Sequence, residues 1–255
     1  MYAAIAPFAY FAGILAALAC LGRRVQAAKA TLLACVLLSL VTGLVALRRP
    51  LSSDIALVCF YSLGFDALFV WSQAREPWRI RLFYLMLAGV TLIKGVPALA
   101  MGVCIAILTT ALTTRSRSAV AKMLDPFGLI LFAIMALALV LYSDTRAIQL
   151  LHRGDAVQFN AGAHFSYGVR LVLMLAPWIL LIPLVRRRHD IRQGLTGHDL
   201  HSLRILLWSW LTCAAIFYAM SATWADYLIL AALPPAGLLL ALAFLPPRSS
   251  DTGSS

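Results

Sequence analysis

The chain has 255 residues, of which 62% are hydrophobic and 12% are charged, and its formal net charge is +11 at pH 7. A mean hydropathy of +0.90 excludes a disordered chain and is unlike an ordinary soluble domain. The cations lie in short segments between apolar runs, where they orient membrane spans, so they do not indicate a nucleic-acid partner.

Apolar runs of about bilayer length follow one another along the chain. A bilayer core of ~30 Å is crossed by about 20 helical residues, and in lipid a helix satisfies its own backbone hydrogen bonds. The sequence therefore predicts an all-α fold, a polytopic transmembrane helical bundle at 1–245, with a polar, disordered cytoplasmic tail at 246–255. The predicted spans, about nine, cover 2–22, 30–47, 55–72, 80–93, 96–113, 126–142, 168–185, 203–221 and 227–245.

The fourth and fifth predicted spans are separated only by Lys94 and Gly95, close to Pro97. Gly and Pro interrupt regular helix, so a break is expected here. Two separate spans and one broken, re-entrant element both fit this pattern.

The Lys and Arg residues between the spans are divided unequally between alternate loops. The richer side is cytoplasmic by the positive-inside rule, which puts the N-terminus outside and the C-terminus in the cytoplasm. The richer group is Arg23, Arg24, Lys29, Arg75, Arg79, Arg81, Arg115, Arg117, Lys122, Arg186, Arg187, Arg188, Arg192, Arg204 and Arg248. The other group is Arg48, Arg49, Lys94, Arg146, Arg153 and Arg170.

Asp54 and Lys94 are candidate site residues on the side predicted to be outside. Asp54 opens the third span, where it is a helix cap, a functional carboxylate, or both. Lys94 lies between two apolar stretches, where a cation either snorkels to the interface or binds an anion. We favour an anion, and a lipid phosphate at the headgroup level fits. Arg48 and Arg49 are placed to pair with Asp54 or to bind the same phosphate.

The predicted outside loop at 143–168 is too long for a simple connector, which favours a functional role. It contains His164 and Tyr167. A solvated His is the favoured interpretation, because no spacing of His or Cys residues matches a metal site. We therefore predict no metal ligands and no cofactor, with a requirement for a divalent metal left open.

Asp66 and Asp226 are two further candidate acids. Asp66 lies inside the third span, about 18 Å along the helix from Asp54 at ~1.5 Å per residue. An intramembrane carboxylate is a functional hypothesis by default, and pairing with a neighbouring helix or with Arg75 is the alternative. Asp226 stands in the turn before the last span.

Four segments occur in an order that resembles one family of membrane enzymes. They are 48–54, 88–97, His164–Tyr167 followed by Pro177-Trp178 and Pro183, and Ser221–Tyr227 followed by Leu233-Pro234-Pro235. Together they resemble the lipid-phosphosugar glycosyltransferases with the GT-C fold, of the aminoarabinose transferase and protein O-mannosyltransferase type. The resemblance covers nearly the whole chain, from the family's second span onward.

The resemblance implies transfer of a sugar from a polyprenyl-phosphate donor to a lipid or protein acceptor at the outer face of the inner membrane. On this basis Lys94 would hold the carrier phosphate, with help from Arg48, Arg49 and Tyr167. Asp54 would match the family's second outside acid. A leaving phosphate needs cations, and an acceptor hydroxyl needs a carboxylate that orients or deprotonates it.

The chain also departs from the family pattern. The family's first span and the large outside loop with its principal acid are absent from this sequence, so we expect the protein to turn over poorly without a further segment or partner. Trp224 and Asp226 stand where a basic residue is usual, and Val96 separates Gly95 from Pro97. The alternatives are a non-catalytic membrane subunit that binds a polyprenyl lipid or a membrane protein partner, and a small transporter built on Asp66 and Lys94.

Overall fold

A computed structural model describes residues 2–24, 31–36, 38–39, 52–114, 123–142, 198–220 and 225–244. Within these ranges the regular structure is entirely α-helical, which agrees with the all-α prediction. The helices are α1 (Tyr2–Arg24), α2 (Ser52–Ala74), α3 (Pro77–Lys94), α4 (Val96–Thr114), α5 (Pro126–Tyr142), α6 (His198–Met220) and α7 (Ala225–Phe244). Residues 31–36 and 38–39 are also helical. The predicted span at 168–185 and the tail at 246–255 lie outside the described residues.

Two of the described helices are long and apolar enough to cross a membrane, over Asp54–Ala74 and Leu200–Phe217. Shorter apolar helical stretches occupy Phe8–Leu21, Ala98–Thr113 and Leu230–Leu242. These helices favour association with a membrane, whereas the count of about nine spans is not confirmed and stays a prediction.

The chain breaks between α3 and α4 at Gly95, whose φ of 72° is a backbone conformation that favours glycine. The Gly95 N–H donates to the Thr91 carbonyl over 2.8 Å and closes the last turn of α3. Leu87 of α3 then lies directly against Gly102 of α4, so the two helices fold back on each other. The fourth and fifth predicted spans are therefore two separate, antiparallel helices.

Helix α2 lies at the centre of the bundle and packs against α1, α3, α4, α6 and α7. Its Phe65 is almost fully buried and joins three helices through ring contacts. The Phe65 ring centroid lies 4.7 Å from that of Trp210 on α6 and 6.3 Å from that of Phe83 on α3. The Tyr61 ring stacks on Phe65 at 5.6 Å within α2 itself. This aromatic cluster forms the middle of the apolar core.

Helix α5 is attached to α3 at its first turn. The Tyr84 hydroxyl donates to the Met123 carbonyl over 2.8 Å, and Arg81 Nε lies 3.4 Å from Asp125 Oδ2. The same carboxylate accepts the Gly128 N–H over 2.8 Å, so Asp125 caps α5 immediately before Pro126. These contacts explain why α5 begins where it does.

The outer face of α5 is apolar and exposed. Its large side chains recur at helical spacing, and each is more than half exposed: Phe127, Ile130, Ile134 and Leu137. An exposed apolar face of this extent is typical of contact with lipid or with another protein. It therefore agrees with the apolar lengths of α2 and α6.

The helices run between two ends of the bundle, which we call the Lys94 end and the Arg81 end. Asp54 at the start of α2 lies at the Lys94 end, and so does the start of α4. Helix α6 is antiparallel to α4, because Leu108 and Leu112 near the end of α4 line one groove with His201 and Arg204 near the start of α6. Helix α6 therefore begins at the Arg81 end, and α7 begins towards the Lys94 end.

Replacement of Gly102 by leucine is expected to lower the free energy of unfolding by about 1–3 kcal/mol, as overpacking typically does. A Cβ at Gly102 would lie 2.5 Å from Leu87 Cδ1 and 3.2 Å from Tyr61 Cε1. Thermal unfolding in detergent measures the effect. Cys104→Leu is the matched control, since Cys104 is an exposed residue of the same helix. Equal melting temperatures for the two variants would contradict the close α3–α4 packing.

Candidate functional site

Two residues predicted from the sequence, Asp54 and Lys94, meet in the structure. Lys94 Nζ lies 2.6 Å from Asp54 Oδ1, which is the distance of a charge-assisted hydrogen bond. The side chains are 25% and 18% exposed, respectively. The pair is thus mostly removed from solvent but still reachable from one side, which is the setting expected of a binding site rather than of a surface ion pair.

The partial charges at the ends of α2 and α3 stabilise the charged forms of Asp54 and Lys94. Asp54 lies in the first turn of α2, and Lys94 lies in the last turn of α3. The partial positive charge of a helix N-terminus stabilises a carboxylate, and the partial negative charge of a C-terminus stabilises an ammonium group. Because α2 and α3 are antiparallel neighbours, both favoured positions fall at the same end of the bundle.

The turn after Lys94 is open. Among the described residues, a Cβ added to Gly95 would meet no atom within 4 Å, so none of them packs against this side of the turn. Helix α4 begins at the next residue, and the Gly95 carbonyl accepts the Leu99 N–H over 3.3 Å. In this first turn Pro97 has no N–H and the Leu99 N–H is already bonded, so the Val96 and Ala98 N–H groups are the ones without a partner inside α4.

Tyr61 holds this turn against α2. Its hydroxyl donates to the Ala98 carbonyl in the first turn of α4, and Ala98 is fully buried. The Asp54–Lys94 pair and the Tyr61–Ala98 bond therefore fasten the α3–α4 turn to α2 at two points. Tyr61 was not among the site residues predicted from the sequence. Its position seven residues after Asp54, on the same face of a helix, is the signal that could have identified it.

Asp66 is remote from this pair. It is 9% exposed within α2 and stands about 18 Å along the helix from Asp54 at ~1.5 Å per residue. The alternative partner considered for it, Arg75, has its guanidinium 4.6 Å from the centroid of the Trp71 ring. Asp66 is therefore not in contact with the Asp54–Lys94 pair, and its role as a candidate acid stays a prediction.

Only some of the remaining predicted site residues can be compared with the structure. Arg48, Arg49, His164 and Tyr167 lie outside the described residues. Asp226 is the second residue of α7, and its backbone is described while its side chain is not. The direction of α7 places it towards the Lys94 end. The grouping of these five residues with Lys94 stays a prediction.

A metal site is not visible in the part of the chain that the structure describes, where no group of three or more His, Cys, Asp or Glu residues is found. Within the described residues, this site brings together the ammonium group of Lys94 and the carboxylate of Asp54. The cation can hold an anion, and the carboxylate can accept a proton.

Comparisons with known proteins assign no family to this arrangement. The chain matches no family model, no curated protein and no solved structure. The basis for a functional proposal is therefore the geometry around Lys94, together with the sequence pattern that predicted Lys94 as a site residue.

A double-mutant cycle on Asp54 and Lys94, with each residue changed to alanine, is expected to give a coupling free energy of about 1–2 kcal/mol. This value lies between those of exposed and fully buried pairs. Chemical unfolding in mixed micelles measures it. The control cycle uses Glu76 and Arg79, an ion pair at 3.3 Å whose Glu is 45% exposed. We expect about 0.3–0.5 kcal/mol for that pair. Equal couplings would contradict the special status of the Asp54–Lys94 pair.

Proposed function

We propose that this protein is a membrane-embedded glycosyltransferase of the GT-C type that binds polyprenyl phosphate at Lys94. The donor is a polyprenyl-phosphate sugar, and the acceptor is a hydroxyl group of a lipid or a protein. The reaction takes place at the Lys94 end of the bundle, which we assign to the outer face of a bacterial inner membrane. The observation that carries the proposal is the mostly buried Asp54–Lys94 pair beside the open turn at Gly95.

In this proposal the Asp54 carboxylate occupies the anion position beside Lys94 until the donor binds. Lys94 Nζ donates to Asp54 Oδ1 without ligand. A donor phosphate that enters through the open side of the turn takes over the Lys94 ammonium group. The Asp54 carboxylate is thereby released from the Lys94 ammonium group and can accept a hydrogen bond from the acceptor hydroxyl.

The transfer step then uses both groups. Asp54 accepts the proton of the acceptor hydroxyl, whose oxygen forms a bond to the anomeric carbon of the sugar. The bond between that carbon and the phosphate oxygen breaks, and polyprenyl phosphate leaves with the bonding electron pair. The phosphate goes from a diester with one negative charge to a monoester with about −1.5 to −2. Lys94 therefore stabilises the leaving group more strongly than the bound donor, which is the condition for catalysis.

The other predicted residues have supporting roles in the proposal. Arg48, Arg49 and Tyr167 add donors to the phosphate, as the family resemblance implies. His164 and Asp226 are further candidates at the same end of the chain's predicted topology. A membrane setting is supported by the apolar lengths of Asp54–Ala74 and Leu200–Phe217.

Lys94→Ala is expected to abolish binding of polyprenyl phosphate, because the phosphate loses its principal cation in a mostly buried place. Binding of a short-chain polyprenyl phosphate to the protein in nanodiscs measures this. Lys94→Arg is the matched variant and should keep part of the affinity, since it keeps the charge. Arg79→Ala, at the other end of α3, should bind as the unchanged protein does. Unchanged binding by Lys94→Ala would remove Lys94 from the site.

Asp54→Asn is expected to separate binding from transfer. Binding of the phosphate should be retained or tightened, because Lys94 no longer has a competing carboxylate. Sugar transfer should fall by roughly 10²–10⁴-fold, the usual contribution of a general base. The measurement is transfer of a radiolabelled sugar from the polyprenyl donor to acceptors in native membranes, where any further segment or partner that the transfer requires is present. Tight binding of polyprenyl phosphate with no sugar transfer by the unchanged protein would favour the non-catalytic lipid-binding subunit. Loss of transport in the Asp66→Asn variant would favour the transporter.

A further inference from the structure

A groove of about 330 Å³ lies on the surface of the bundle between α4 and α6, at the Arg81 end. Leu108 and Leu112 form its α4 side, and Trp208 forms part of its α6 side. These three side chains are 37%, 52% and 57% exposed, so the groove is open along its length. Its volume lies in the range of roughly 300–1,000 Å³ that is typical of sites for small organic ligands.

The groove is basic at one end only. His201 and Arg204 lie in the first two turns of α6, where the groove reaches the end of the bundle. Among the described residues, Arg204 makes no ion pair, in contrast to Arg79 and Arg81. A guanidinium group without a carboxylate is well suited to bind a phosphate in a fork of hydrogen bonds. The N-terminus of α6 adds a partial positive charge at the same place.

A buried hydroxyl group lies further along the groove. Ser209 lines it and is 3% exposed, and its Oγ has no hydrogen-bond partner among the described residues. Buried polar atoms are nearly always hydrogen-bonded, so this hydroxyl is a group to which a ligand in the groove can supply a partner. Ser209 stands five residues after Arg204, which is about 7.5 Å along the helix axis. In a glycerophospholipid, ester oxygens occupy the corresponding place on the acyl side of the phosphate.

We propose that this groove binds one anionic glycerophospholipid from the leaflet at the Arg81 end. Its phosphate group contacts Arg204 and His201, and an ester oxygen accepts a hydrogen bond from Ser209 Oγ. One acyl chain lies along Leu108, Leu112 and Trp208. Charge complementarity at one end and the orphaned hydroxyl in the middle together select a phospholipid over a purely apolar ligand or a protein helix.

This site is distinct from the one around Lys94 and does not depend on the proposed transferase activity. Leu108 stands twelve residues after Val96 in α4, about 18 Å along the axis from the turn that follows Lys94. The two sites therefore face opposite ends of the bundle.

Native mass spectrometry tests the proposal on the full chain, extracted from nanodiscs that contain equal amounts of phosphatidylglycerol and phosphatidylcholine. We expect one retained phosphatidylglycerol in excess over phosphatidylcholine. Arg204→Gln should lower this retention about fivefold, the factor that corresponds to about 1 kcal/mol for one cation near an anionic membrane surface. Arg23→Gln is the control, because Arg23 is an exposed arginine of α1 that does not line the groove.

A second pair of variants tests the position of the acyl chain. Leu112→Trp fills the groove and should reduce retention of phosphatidylglycerol by a similar factor. Leu85→Trp, at an exposed leucine on α3, should leave it unchanged. The proposal is overturned if both arginine variants lose lipid equally, if Leu112→Trp retains lipid as well as Leu85→Trp, or if phosphatidylcholine is retained as well as phosphatidylglycerol. Lys94→Ala should retain the phospholipid, which separates this result from the test of the transferase site.

Discussion

The burial of α2 among five other helices is the constraint on which the rest of the described structure depends. Phe65 contacts α3 and α6 through its ring, and Tyr61 fastens the first turn of α4. Because interiors are packed as densely as organic crystals, a shift of α2 would move all of its neighbours. The position of Asp54 follows from this packing, since it stands at the end of the one helix that the others surround.

The two ends of the bundle use their cations in different ways. At the Arg81 end, three guanidinium groups lie over aromatic rings: Arg75 on Trp71, Arg79 on Trp78 and Arg81 on Phe127. Such contacts let the guanidinium group remain in water while the methylene groups of the side chain cover apolar surface, as expected at a membrane interface. Arg79 and Arg81 also meet carboxylates there, at 3.3 and 3.4 Å, whereas the Lys94–Asp54 pair at the other end is closer, at 2.6 Å, and mostly buried. Burial of an unpaired charge is costly, so the Asp54 carboxylate lowers the free-energy cost of burying the Lys94 ammonium group when no ligand is bound.

This pairing has a consequence for how a phosphate would bind. A ligand must compete with Asp54 for Lys94, which weakens binding of any weakly charged anion and favours a phosphate. The competition also links arrival of the phosphate to release of the carboxylate. In the proposed function, the same ion pair would stabilise the empty site and would give up its carboxylate when a phosphate binds. The groove at the Arg81 end is different, because Arg204 makes no ion pair within the described part of the chain and has no such competitor.

The amino-acid sequence by itself determined the helical class and most helix boundaries, because apolar length and helix-breaking residues act locally. The predicted spans at 55–72, 80–93 and 96–113 correspond closely to α2, α3 and α4, and Gly95 marks the break between the last two. The sequence also singled out Asp54 and Lys94, since a charge at the edge of an apolar run is conspicuous. It could not show that the two form one ion pair, because their contact depends on α2 and α3 packing side by side. The Tyr61–Ala98 hydrogen bond and the burial of Ser209 were likewise decided only by tertiary structure, since a hydroxyl group carries no local signal of which neighbour will accept its hydrogen bond.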